Sequence, residues 1–313
     1  MNNILNNYKV KVYNIVNNNI ELFINKKVSN IYVINLKKDK MRQKYILILM
    51  KKYKINFTFV IVDEIDNSIS TIINKDNLLT KGELGCMLSH LWCLKDIIQN
   101  KYKNAIIFED DIIFHKNFHD LFEKIYRDDY DFLILGACDF SFSSINKHNL
   151  ENDLYVPSNS SVKVYGAHAN FYSLNGAKKM FDIKINNVSF FDKDYHIMFD
   201  FFKNTSYICY PNLVVSDIST TNLQHDYPFF SIQENNYYNK CFVNFDFKEY
   251  NFIYLNLIMK NKNIQIEPND TYETYISKII YFTFLNKNQT KKIKNRMVMD
   301  FFTIKDLRRL ISA

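Results

Sequence analysis

Three consecutive carboxylates, Glu109, Asp110 and Asp111, close the apolar run 105–108 and are followed at once by Ile112, Ile113 and Phe114. Buried charges need partners, and three side by side repel one another. A hard divalent cation relieves that repulsion through oxygen ligands. Two placements are open: the carboxyl edge of a parallel sheet, where open α/β folds bind ligands, or an acidic turn on a surface hairpin. Further along, Asp192 and Asp194 precede an apolar segment, and Asp217 and His225 lie in a polar stretch. Carboxylates at a strand end, with Asp and His residues on later loops, suit metal-assisted group transfer with an anionic leaving group, such as the diphosphate of a nucleotide sugar. On chemistry alone the chain is a metal-dependent α/β transferase or hydrolase.

The elements around these residues alternate. Residues 31–36 (IYVINL) form a strand, followed by a helix with Met41, Tyr45, Ile48 and Leu49 at helical spacing. Residues 56–62 form the next strand, ending at Asp63 and Glu64. The acidic strand, uninterrupted by polar residues, reads as buried on both faces. Between these strands, Thr80 followed by Glu83 fits a capping box for a helix over 81–99. Gly82 and Gly85 near its start either admit a close approach, an anion at the helix N-terminus among the options, or let the helix pack on a strand. A helix over 117–126, strands over 131–136 and 163–174, a helix capped by Ser173 or Asn175, and a strand over 208–218 follow. Residues 1–27 read as an edge strand or a loosely held extension. The later chain has mixed helical patterns, with helices expected over 278–284 and 298–310.

With 313 residues, 47% hydrophobic and 23% charged, the chain has a globular composition; 5 Gly and 4 Pro leave little for long linkers. The formal charge of +7 is spread over scattered lysines. That suits an anionic small-molecule substrate and gives no nucleic-acid tail. Five cysteines without a CxxC pair read as buried thiols in a reducing compartment. No run is long enough to span a bilayer and no secretory signal is visible, so the expectation is a cytoplasmic protein. The excess of Asn, Ile, Lys, Tyr and Phe points to an AT-rich genome.

Four segments in order resemble glycosyltransferase family 25, which contains bacterial lipooligosaccharide galactosyltransferases and collagen hydroxylysine galactosyltransferases. IYVINLKKDKMRQ (31–43) is similar to that family's opening strand and loop, and LTKGELGCMLSH (79–90) to its helix with a Ser-His pair. IIFEDDI (106–112) is similar to its acidic metal motif, and YSLNGAKKM (172–180) to a later helix, followed by FDKDYHIMFD (191–200). Phe190-Phe191 stands where the family has Pro-Val, and Lys193-Asp194 where it has an acidic–aromatic pair.

The resemblance implies an α/β, GT-A-like (Rossmann-like) single mixed sheet flanked by helices. It sets a catalytic domain over 28–230, between an N-terminal extension (1–27) and a mainly helical C-terminal extension (231–313). It implies a UDP-sugar donor, Mn²⁺ or Mg²⁺, inversion at the anomeric carbon, and a glycan or collagen-like acceptor. Asp111 would lead the metal ligands, with Asp110 and His225 (or Asp217) beside it. Asn35, Arg42, Asp63, Ser89, His90, Glu109 and Asp110 would line the nucleotide. Asp192 would be the general base, with Asp194 behind it. Two other readings stay open: a metal-dependent nucleotide-sugar hydrolase, and an inactive binding module. A giant-virus source would put the protein in host cytoplasm or virion.

Overall fold

The computed structural model describes residues 5, 8–17, 21–73, 79–137, 150–151, 154–155, 164–209 and 212–216, all within one compact unit. In chain order the elements are β1 (Val10–Ile15), α1 (Phe23–Lys27), β2 (Asn30–Leu36), α2 (Lys40–Lys52), β3 (Phe57–Val62), α3 (Asn67–Ile73), α4 (Lys81–Asn100), β4 (Asn104–Glu109), β5 (Ile112–Phe114) and α5 (Phe118–Ile125). They continue with β6 (Phe132–Ile134), β7 (Leu150–Glu151), β8 (Leu154–Tyr155), β9 (Ala169–Ser173), α6 (Leu174–Asn186), a 3₁₀ turn (Phe191–Asp194), α7 (Tyr195–Phe201), β10 (Ser206–Cys209) and β11 (Val214–Ser216).

Among the described residues, nine strands make one mixed sheet, in the order β1-β3-β2-β4-β9-β6-β10-β8-β7. Its centre is parallel: β2 pairs with β3 and with β4. The antiparallel β9 then separates β4 from β6. The first of the two readings of the N-terminal region holds for residues 10–15, where β1 adds antiparallel to β3 at the edge.

Strand alternation sorts the core into two faces. Ala105 and Ile107 of β4 join Leu84, Met87, Leu88, Leu91 and Leu94 of α4, with Ala177 and Met180 of α6, in one cluster. On the other face, Phe108 meets Phe114 at 5.5 Å between ring centroids, and Phe114 meets Phe118 of α5 at 4.4 Å. The capping box of Thr80 and Glu83 starts α4, both hydrogen bonds being formed. Ser173, not Asn175, caps α6.

Two expectations are corrected. In α2 the buried positions are Arg42, Tyr45, Ile46, Leu49 and Met50, whereas Ile48 is exposed. The reason is a rotation of the buried stripe toward Arg42. The strand expected over 208–218 is two strands: β10 lies in the main sheet, and β11 pairs antiparallel with β5 in a separate two-stranded sheet. Asn212, near the break, caps the loop by accepting from Ala137 N and donating to Ala137 O. Helices expected over 278–284 and 298–310 lie outside the described residues.

Candidate active site

β4 runs parallel to β2 and β3, so its last residue, Glu109, stands at the carboxyl edge of the parallel core. The chain turns at Asp110 and Asp111 and leaves the sheet as β5. Of the two placements open from sequence, this is the sheet edge and not a surface hairpin. Alternation along the strand sends successive side chains to opposite faces. Glu109 shares its parity with Ala105 and Ile107 and meets α4; Asp110 meets α2.

On the α4 side, Glu109 Oε1 lies 3.0 Å from His90 Nε2 and accepts from Cys86 Sγ at 3.3 Å. The Glu109 backbone N–H donates to His168 O at 2.9 Å. Burial pushes the Glu109 carboxyl up, but the hydrogen bond and charge of His90, with His168 nearby, hold it below the usual carboxylate range. The His90 ring stacks on Phe191, centroids 4.3 Å apart. Burial, with Glu109, Asp192 and Asp111 close by, raises the Cys86 thiol well above its ordinary value.

On the α2 side, Asp110 is captured twice: Arg42 Nη1 donates to Oδ1 and Asn35 Nδ2 to Oδ2, each at 2.5 Å. Arg42 Nη2 lies 3.6 Å from Asp111 Oδ2. Asp39, the N-cap of α2, holds Arg42 by accepting its backbone N–H at 3.1 Å and lying 3.6 Å from Nε. Tyr45 Oη donates to Ile112 O at 2.6 Å, which ties α2 to the strand after the acidic turn.

Asp192 comes to the same neighbourhood on the 3₁₀ turn, through the Phe191–His90 stack beside it. Its Oδ2 accepts from Gly166 N at 2.8 Å. Gly166 has φ 129°, a conformation that side-chain-bearing residues rarely adopt. Burial raises the Asp192 carboxyl, the Gly166 N–H opposes the rise, and the charge of Glu109 adds to it.

The expected nucleotide-lining set therefore divides. Asn35, Arg42, Glu109, Asp110 and His90 gather around the acidic turn. Asp63, half-exposed, pairs with Lys37 at 2.8 Å, and Ser89 Oγ meets Tyr8 Oη at 3.0 Å and donates to Gly85 O at 2.6 Å. Those two have packing partners of their own. Gly85 faces Ile65, in the segment between β3 and α3, where an added Cβ would lie 3.4 Å from its side chain.

Asp194, expected behind Asp192, is buried and held by Lys184, Ser189 and Asn187, which makes it the counter-ion of a wholly buried lysine. Asp110, expected beside Asp111 as a metal ligand, has each oxygen accepting one donor, from Arg42 and Asn35. His225 and Asp217 lie outside the described residues. Three participants were missed in the sequence. Cys86 counts among the buried thiols expected from sequence, although its four-residue spacing from His90 on a helix was the available signal. Nothing local marks Gly166 or Lys184 as partners of Asp192 and Asp194.

The site is thus a carboxylate turn at the edge of the parallel core of an α/β sheet, with the half-buried Asp192 brought beside it. The sequence model of glycosyltransferase family 25 (LPS biosynthesis protein) matches residues 28–209. The chain belongs to that family, and its sheet is the mixed, helix-flanked α/β sheet expected. Among curated relatives, the mouse protein named inactive glycosyltransferase 25 family member 3 is 28% identical over 143 residues, covering 42% of this chain and 23% of the relative. The human protein of the same name is 34% identical over 64 residues, 18% of this chain and 11% of the relative. The chain thus covers less than a quarter of the length of either. A solved glycosyltransferase involved in glycosylation of the major capsid of PBCV-1 is similar at a TM-score of 0.37 and 10% identity, over 61% of this chain and 94% of that one. No helix among the described residues is long and apolar enough to cross a membrane.

Proposed function

We propose that the chain is a metal-dependent glycosyltransferase. It moves a hexose, galactose or glucose, from a UDP-sugar to an acceptor hydroxyl on a glycan or a collagen-like hydroxylysine, with inversion. The observation that carries this reading is the meeting, in a family 25 chain, of the Glu109-Asp110-Asp111 turn with a half-buried Asp192 whose carboxyl is raised above its ordinary value.

The carboxylate oxygens of the turn fit a hard divalent cation. Asp111 is the residue to hold Mn²⁺ or Mg²⁺, whereas Asp110 is engaged by Arg42 and Asn35. Such an ion neutralises charge on a departing diphosphate. Asp192 takes the acceptor hydroxyl's proton as that oxygen bonds to the anomeric carbon and the bond to the diphosphate breaks. Gly166 N–H holds the carboxylate in place while it does so.

The test is turnover of a panel of nucleotide sugars, with and without Mn²⁺ and with and without acceptor. Asp111→Asn should abolish turnover while leaving the melting temperature close to wild type. Full activity of that variant in metal-free buffer overturns the assignment. Turnover that never depends on acceptor makes the protein a hydrolase.

A second reading, a binding module without turnover, is favoured by the internal offset of the acidic turn. Arg42, Asn35 and His90 already supply its partners, so the three carboxylates do not by themselves demand a ligand. The relatives named inactive agree with it. UDP binding without turnover of any donor would establish it.

A further inference from the structure

A second group of donors shares Glu109 with the acidic turn but adds a sulfur and an imidazole to it. The Cys86 sulfur, a His90 ring nitrogen and a Glu109 oxygen all lie within 4.8 Å of one another. His90 Nε2 is 3.0 Å and Cys86 Sγ 3.3 Å from Glu109 Oε1. Cys86 and His90 are four residues apart on one face of α4, and Glu109 is the last residue of β4, so two packed elements set the spacing. Zinc bonds of about 2.0 Å to N and O and 2.3 Å to S place tetrahedral neighbours roughly 3.3–3.6 Å apart. The two separations to Glu109 reach that range with shifts of a few tenths of an ångström. The stack on Phe191 fixes the plane of the imidazole.

We propose that Cys86, His90 and Glu109 form a binding site for a borderline-soft divalent transition ion, Zn²⁺ foremost, separate from the all-oxygen turn at Asp110 and Asp111. A sulfur and an imidazole select zinc over magnesium or manganese, which favour oxygen donors. Coordination deprotonates the thiol, and the proton goes to solvent. A thiolate, a carboxylate and a neutral imidazole then balance the dication, so the partly buried site carries no net charge. Three protein ligands leave a fourth tetrahedral position for water or a substrate oxygen. The site does not depend on the transferase reading.

The full-length chain is titrated with Co²⁺ as a spectroscopic substitute for Zn²⁺. One equivalent should produce a thiolate-to-cobalt charge-transfer band that Zn²⁺ displaces. Cys86→Ser, nearly isosteric, should lose the band and weaken Zn²⁺ binding beyond the roughly 10–100-fold that loss of an outer hydrogen-bond partner causes. His90→Gln should weaken it as well, and Asp111→Asn should keep the band. As a readout free of variants, Zn²⁺ should protect Cys86 from alkylation in peptide mapping while Mg²⁺ does not. Absence of the band in wild type, equal Zn²⁺ affinity in Cys86→Ser, loss of the band in Asp111→Asn, or unprotected Cys86 would each overturn the proposal.

Discussion

At the scale of single residues, Arg42 decides most. Its side chain is only 7% exposed and faces both Asp110 and Asp111. Replacing it with Gln strands buried carboxylates, for which a cost of about 3–5 kcal/mol is expected in chemical denaturation. Mn²⁺ should recover part of that loss if Asp111 holds an ion, because a cation then stands in for the guanidinium; no recovery would argue against Asp111. Asp192 makes a second prediction. Asp192→Asn should lose transfer by roughly 10²–10⁴-fold, more in kcat than in donor KM, and an unchanged rate and pH profile would move the base elsewhere. The same change should stabilise the fold near neutral pH. The raised carboxyl binds its proton more tightly folded than unfolded, so its contribution to stability is complete below the ordinary aspartate value. That contribution is lost as pH rises through the raised one. The gain from Asn should therefore shrink to nothing in acid, as melting temperatures across pH would report.

At the scale of elements, the strongest test is Gly136, just after β6. A Cβ there would fall 1.8 Å from Val214 O and 2.7 Å from His168 Nε2. Gly136→Ala should cost at least about 1–3 kcal/mol and loosen β11, whereas Thr80→Ala, at the exposed cap of α4, should cost about 1 kcal/mol. Equal denaturation midpoints for the two would contradict this. The contrast also shows what the sequence makes legible. β2, β3, β4 and the capping box of α4 rest on period and local chemistry, which neighbouring residues carry. The capture of Asp110 by Arg42 and Asn35 rests on three elements meeting. The positions at strand ends were evident, but their mutual partners were not. Ile208 and Val214 read as one strand because hydrophobicity does not say which sheet a strand joins.

At the scale of the molecule, UDP should raise the melting temperature by mass action on the folded state, and only with a divalent cation present. An equal shift with ADP would contradict the uridine preference proposed here. The sheet order carries a separate consequence, one about time. β4 is flanked by β2, made early, and by β9, made late, and the strand after the acidic turn finds its partner in β11, at Val214–Ser216. Contacts so distant along the chain form slowly. On a ribosome, the carboxylates emerge roughly a hundred residues before β11 does, and domains are completed from the N-terminus onward. A nascent chain would hold Arg42 and Asn35 ready before Asp110 is synthesised, so the charge has partners waiting during that delay. Closure of the turn by β11 would then be among the last events in the making of this unit.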